Sequence, residues 1–453
     1  MEDENFELME HAPVKRAILK LAIPTVLSTI IQLIYNLTDT YFIGLLHDPL
    51  QLAAINLAFP VFMMIQALGN IFGSGAPSYV SRCLGAKKYE EAKRTSSVSF
   101  YAAIACSLLM TCLAFLFMDP ILSLVGTRPD TIVQTRQYMS VICGCSVILM
   151  IQIILPSLIR SEGRVKEAVI GMVIGTGLNI VLDPVFILVF HQGVAGAAWA
   201  TVIGNAVSDI YYIVVFLRGR TNLSIRPKDC RPSKRILSEV FKIGLPSSVS
   251  QIIMSFSNIL TNNLAAGYGS VVISAFGVAG KAIIMIVMIV IGFVTGYAPF
   301  AGYSYGAHNT HRLIEGLKFT MICGTAACLV FLALLLGFGG TFMRAFSNDA
   351  GIISTGIQVI RAQAWAVPFM AVQMTMMATF QATGQALKAT IVNLGRQCLF
   401  YIPLMFLFNS IWHLTGLMYA QCVADLLTTA VAVALGIPFL RKIHAEDKSL
   451  AGA

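Results

Sequence analysis

Long apolar runs alternate with short polar, mostly basic connections along the whole chain. A helix needs about 20 mainly apolar residues to cross roughly 30 Å of hydrocarbon. Twelve stretches reach that length: 17 to 46, 52 to 79, 95 to 117, 133 to 159, 167 to 190 and 195 to 217, then 237 to 266, 271 to 300, 317 to 339, 354 to 380, 388 to 412 and 416 to 440. The pattern predicts an all-α membrane protein with twelve transmembrane helices. Composition agrees, with 57% hydrophobic and 12% charged residues, against about 25% charged in a soluble domain.

The runs repeat. KLAIPTVLSTII from Lys20 matches KIGLPSSVSQII from Lys242, which aligns Pro24 with Pro246 and Asn36 with Asn258. GAPSYVSRCLGA (75 to 86) parallels GYAPFAGYSYGA (296 to 307), RSEG ending at Gly163 parallels QATG ending at Gly384, and GAAWAT from Gly196 parallels GLMYAQ from Gly416. The offset stays near 221 residues. Six spans per copy is an even number, so both copies enter from the same side, related by an axis along the membrane normal. The expected organisation is a six-helix lobe at 1–217, a basic linker at 218–236, a second lobe at 237–440 and a tail at 441–453.

Charge fixes the orientation. Net charge is +9, but the cations gather in loops rather than on a face fit for nucleic acid. With the N-terminus inside, 25 of the 31 Lys and Arg residues fall in inner segments and only Arg128, Arg136, Arg344 and Arg361 outside, as the positive-inside rule requires. Both termini are therefore expected in the cytoplasm. The acidic N-terminal stretch lacks a short apolar core with a small-residue cleavage site, so no removable signal peptide is expected.

The polar residues inside spans carry the chemistry. Asp39, in YNLTDTYFIG, lies in an apolar run whose other charge, Lys20, stands near its start. A carboxylate at the bilayer centre costs roughly 2.5–3.5 kcal/mol, and no basic residue lies at a matching depth on a neighbouring span. Asp39 falls about 12 Å past the middle of span 1 toward the outside. In LNIVLDPVFIL of span 5, Asn179 and Asp183 share a helix face; Pro184 lacks an amide hydrogen and leaves a carbonyl free. Thr201 enters the same outer half from span 6. Carboxylate, amide and hydroxyl oxygens at one level suit a proton or a small hard cation such as sodium.

Structural roles compete with this reading. Asp183 beside a proline also fits a cap on a broken helix. Asn205 and Asp209 continue the Thr201 stripe inward and Asp425 takes the repeat position of Asn205; all three equally fit interhelical hydrogen bonding. Lys281 and Arg396 are isolated cations within spans 8 and 11, suited either to substrate contact or to snorkelling. The 20 methionines fit helix packing as well as an adaptable cavity.

Other functions are excluded by what is missing. No GxxxxGK[ST] loop supplies ATP binding. No HExxH exists, and His308 and His311 have no third ligand nearby, so no metal centre is expected. Ten cysteines at irregular spacing give no disulfide framework. No nucleophile–base pair or sizeable extramembrane domain points to an enzyme, and no cofactor is implied.

The ordered segments IPTVLSTIIQLIYNLTDTYFIG, GAPSYVSRCLGAKK, LNIVLDPVFI, GVAGAAWAT, YSYGAHN, FQATGQALKA, GRQCLFYIP and AQCVADLL resemble the multidrug and toxic compound extrusion (MATE) family over nearly the whole chain, in its MepA-like bacterial branch. The resemblance implies a V-shaped pair of six-helix lobes in the cell membrane, exchanging organic cations for sodium or protons by alternating access. It maps the family's N-lobe cation site onto Asp39, Asn179, Asp183, Thr201 and the carbonyl of Ala197. Asn36, Asn205, Asp209, Asn258, Lys281, Arg396 and Asp425 are candidate cavity or supporting residues. The late span-4 amide of relatives aligns with Pro156 or Ser157, and span 7 has no Glu nor span 10 an Asp, which argues against a second-lobe cation site. The expected cargo is amphipathic and cationic, carried by a monomer in the bilayer. The alternative is a lipid-linked precursor flippase, which requires several cavity cations for a pyrophosphate.

Overall fold

Each apolar run folds as the helix its length demands, and proline, glycine or a polar turn sets where it bends or ends. The computed structural model describes residues 4–44, 49–190, 192–219 and 221–451; the side chains of Asn36 and Asp39 lie outside the described residues. The first half contains α1 (Glu4–Glu10), α2 (Val14–Gly44), α3 (Pro49–Gly85), α4 (Tyr89–Leu116) and the short α5 (Met118–Leu124). α6 (Ile132–Gly144) and α7 (Ser146–Ser161) form one span bent by 48°. α8 (Val165–Pro184) continues into a π-helical turn at Val185–Val189, and α9 (Gly193–Leu217) follows. The second half holds α10 (Lys234–Ala266), α11 (Ser270–Gly306), α12 (Thr310–Phe346), α13 (Ala350–Ala364), α14 (Val367–Ala382), α15 (Ala386–Leu394), a π-helical stretch at Gly395–Tyr401, and α16 (Ile402–Ala451). No strand occurs among the described residues.

Eight described helical segments are long and apolar enough to cross a membrane alone, and nine with the bent pair α6–α7. One of them, Ala386–Ala445, has 60 residues, about 90 Å at 1.5 Å per residue, or three hydrocarbon thicknesses. It turns at His413, where φ is 51° and ψ −133°, and so crosses twice. The more polar α10 and the pair α13–α14 complete the twelve spans.

The duplication is written into the backbone. Three pairs of residues adopt positive φ at equivalent turns: Lys87 (59°) with His308 (54°), Gly163 (79°) with Gly384 (73°), and Gly193 (56°) with His413 (51°). The first two pairs stand 221 residues apart and the third 220, so the sequence repeat is a repeat of turn geometry.

Contacts divide the chain into two units, Met1–Phe6 with Ile30–Ser248, and Glu7–Thr29 with Val249–Ala453. The divisions fall shortly after Pro24 in α2 and Pro246 in α10. In the first unit a core of Ile65, Met110, Leu122, Met139 and Met150 joins α3, α4, α5, α6 and α7. The linker is stitched to the buried serines of α4: Ser96 donates to the Ser224 carbonyl at 2.8 Å, Ser97 to that of Arg226 at 2.8 Å, and Tyr101 to that of Ile225 at 3.0 Å. In the second unit Thr25 donates to the Gly292 carbonyl at 2.7 Å. Arg312 donates to the carbonyls of Met9 and Ala12 at 3.0 and 2.8 Å.

Candidate functional site

The candidate site belongs to the first unit and rests on how tightly α8 packs on α9. A Cβ on Gly204 would stand 2.7 Å from the Gly175 carbonyl oxygen, and one on Gly175 would stand 3.0 Å from that of Gly204. Two missing side chains let the backbones touch, as small residues do between membrane helices. Further inward, Ser208 donates to the Gly171 carbonyl at 2.7 Å and Tyr212 to that of Ala168 at 2.8 Å. At the outer end, Gln51 of α3 accepts the Val194 amide at 2.9 Å, which satisfies one of the donors left open at a helix start. Gly193 makes that turn possible with φ 56°.

This packing brings Asn179 to Thr201. The Asn179 amide nitrogen donates to the Thr201 hydroxyl at 3.3 Å. Asn179 and Asp183 are 3% and 0% exposed, and Ala197, one turn before Thr201, is also buried. The side-chain oxygen of Asn179 is buried and accepts no hydrogen bond. Leaving such an acceptor unsatisfied costs about 1–3 kcal/mol, so it marks a place for a donor or a cation. Pro184 and the π-helical turn follow directly on Asp183. A proline cannot donate to the carbonyl four residues earlier, that of Ile180.

Asn36 and Asp39 sit on α2, and their side chains lie outside the described residues. Asn205 is half-buried one turn inward of Thr201, and Asp209 a further turn inward is 5% exposed. Neither carboxylate oxygen of Asp209 has a hydrogen-bond partner.

The second unit answers the equivalent level differently. Arg396, an isolated cation by sequence, is not isolated: its Nε donates to Asp425 Oδ1 at 2.7 Å. Gln421, the repeat counterpart of Thr201, donates to the same oxygen at 3.0 Å. Lys281 is exposed, with its ammonium 5.9 Å from the Phe346 ring centroid. Asn258 is exposed on α10.

Gln421 and Gln51 are polar partners that the sequence does not single out, since neither lies in a motif. The close pair Gly175–Gly204 had a signal: Gly171 and Gly175 stand four apart on α8, the spacing of small residues on one helix face.

Comparisons with known proteins agree with this architecture. The MatE family pattern matches twice, over residues 24–185 and 246–407, one match per repeat. The multidrug export protein MepA of Staphylococcus aureus (strain NCTC 8325 / PS 47) is 31% identical over 449 residues, 99% of each chain. MepA of Staphylococcus haemolyticus (strain JCSC1435) is 27% identical over 450 residues, again 99% of each. A solved structure of a multidrug resistance MATE family transporter of the MOP superfamily, in an outward-facing conformation, superposes with a TM-score of 0.92 at 26% identity, covering 97% of this chain and 98% of the other. A MOP superfamily transporter from Pyrococcus furiosus Vc1 (DSM3638) gives 0.91 at 26%, covering 97% and 99%. Twelve spans, a duplicated six-helix repeat and full-length likeness converge: this chain is a multi-pass membrane transporter of the MATE family.

Proposed function

We propose that this transporter exports amphipathic, cationic small molecules by antiport against sodium or protons, coupled through Asp39, Asn179, Asp183, Ala197 and Thr201. The observation that carries the reading is the buried oxygen of Asn179, left without a donor on the same helix face as Asp183. In the second unit Asp425, at the repeat position of Asn205, is already neutralised by Arg396. A positive charge arriving at the first site satisfies what the second satisfies internally. The chain acts as a monomer in the bilayer and carries out no covalent chemistry.

Energetics suit the task. One charge moving inward down 100 mV yields about 2.3 kcal/mol, enough for roughly a 50-fold cargo gradient at about 1.4 kcal/mol per tenfold. A flippase for lipid-linked pyrophosphates is not favoured, because Arg396 is held by Asp425 and only Lys281 remains among the intramembrane cations.

The test is efflux of a cationic dye from vesicles under an imposed sodium gradient and then a pH gradient. Wild-type protein is expected to respond to at least one. Asp39→Asn is expected to abolish the driven component while the protein stays folded by size-exclusion and thermal melting. Undiminished gradient-driven efflux by that variant refutes the assigned role.

A further inference from the structure

Asp209 is a buried carboxylate that nothing in the transport scheme has yet used. It lies eight residues inward of Thr201 on α9, about 12 Å along the axis, with Asn205 midway on the same face. Neither of its oxygens meets a hydrogen-bond donor, although the residue is 5% exposed. The neighbouring hydroxyls are committed to backbone carbonyls of α8: Ser208 to Gly171 and Tyr212 to Ala168. The cations on the helices packed against α9 are engaged elsewhere or exposed. Arg82 of α3 pairs with Glu239, Arg136 of α6 with Asp119 and Arg164 at the start of α8 with Glu167, while Lys166 is exposed; Arg160 of α7 donates to the neutral Ser157 hydroxyl and faces α9 at Tyr212, without a hydrogen bond to Asp209.

A second orphan lies at the same depth. Gln152 on α7 has a buried side-chain oxygen without a partner. It stands nine residues before the inner end of α7, as Asp209 stands eight before that of α9. Both helices run inward and pack together. A carboxyl with two unfilled oxygens inside a membrane span offers a place for a proton or another small cation, and such residues mark ion pathways through transporters.

We propose that Asp209 is a second carboxylate station for the coupling ion, passed after the Asn179–Asp183–Thr201 site and reached along Asn205 on the way to the cytoplasmic end of α9. The inference rests on the antiport reading above. It turns the polar stripe of α9 into a path with two acidic stops, and makes Asp209 a residue for ion release rather than for cargo recognition.

The experiment compares wild type, Asp183→Asn, Asp209→Asn and Asp209→Glu in vesicles, using sodium-22 uptake and an internal pH-sensitive dye as ion probes and a cationic dye as cargo. Asp209→Asn is expected to slow gradient-driven efflux at least tenfold, leave cationic-dye binding in detergent within twofold of wild type, and be largely rescued by Asp209→Glu. Asp209→Asn vesicles that match wild type, while Asp183→Asn vesicles are inactive, overturn the station alone. Wild-type vesicles that ignore both gradients overturn the antiport reading and the station with it. Where Asp209→Asn does not fold, Asp209→Glu decides. A threefold or larger shift in its half-saturating ion concentration supports the station, and an unchanged ion dependence overturns it.

Discussion

Arg396 donates to Asp425 across 2.7 Å, so the second repeat holds an ion pair where the first repeat has the neutral Asn205 in the place of Asp425. Asp425 is 2% exposed and also receives Gln421, which leaves it well satisfied. Removing one member of a buried pair strands the other charge and costs about 3–5 kcal/mol, whereas replacing both with apolar residues of similar volume is often neutral. Arg396→Met is therefore expected to lower thermal stability in detergent by several degrees. Arg396→Met combined with Asp425→Leu is expected to recover most of that loss. A double variant as unstable as the single one would sink the view that this pair is a self-contained structural element.

The approach of α8 to α9 predicts a second outcome. A methyl group on Gly204 meets the Gly175 carbonyl oxygen at 2.7 Å and the Asn179 Cβ at 3.1 Å, so Gly204→Ala must push the helices apart. Overpacking of this kind costs about 1–3 kcal/mol, and it acts beside the 3.3 Å hydrogen bond between Asn179 and Thr201. Weaker ion dependence of efflux should accompany the lost stability. Gly177→Ala is the control: its new methyl meets nothing within 4 Å, and removing a helix-interior glycine gains about 0.5–1 kcal/mol. If both variants behave alike in melting and in ion titration, the close approach has no bearing on the site.

Much of this was readable from the chain because the signals are periodic or local. The apolar runs gave the spans, the offset near 221 gave the duplication, and helical spacing put Asn179 and Thr201 at the level where their side chains meet. The link between Arg396 and Asp425 was not readable. The two residues are 29 apart on different helices, and each by itself looks like a lone intramembrane charge. Apolarity likewise says that α2 spans the membrane, not that residues 7–29 belong with one unit and residues from 30 onward with the other. The π-helical turn after Asp183 announced itself only through Pro184, which signals a break without specifying its shape.

The turn shared by Gly193 and His413 separates repeat geometry from local chemistry. Both adopt positive φ at equivalent places, but only the first copy has glycine there. His413, at φ 51° and ψ −133°, sits in a conformation that costs a side-chain-bearing residue about 1–3 kcal/mol. Glycine adopts it freely but loses more entropy on folding, so His413→Gly is expected to stabilise the protein by a net of about 1 kcal/mol. Gly193→Ala should do the opposite and more strongly, since its new Cβ would lie 2.1 Å from the Gln51 side-chain oxygen that accepts the Val194 amide. Melting curves of the two variants in the same detergent check both signs. A stability loss for His413→Gly would show that the imidazole itself holds the turn between the last two spans, and the equivalence of the two turns would then end at the backbone.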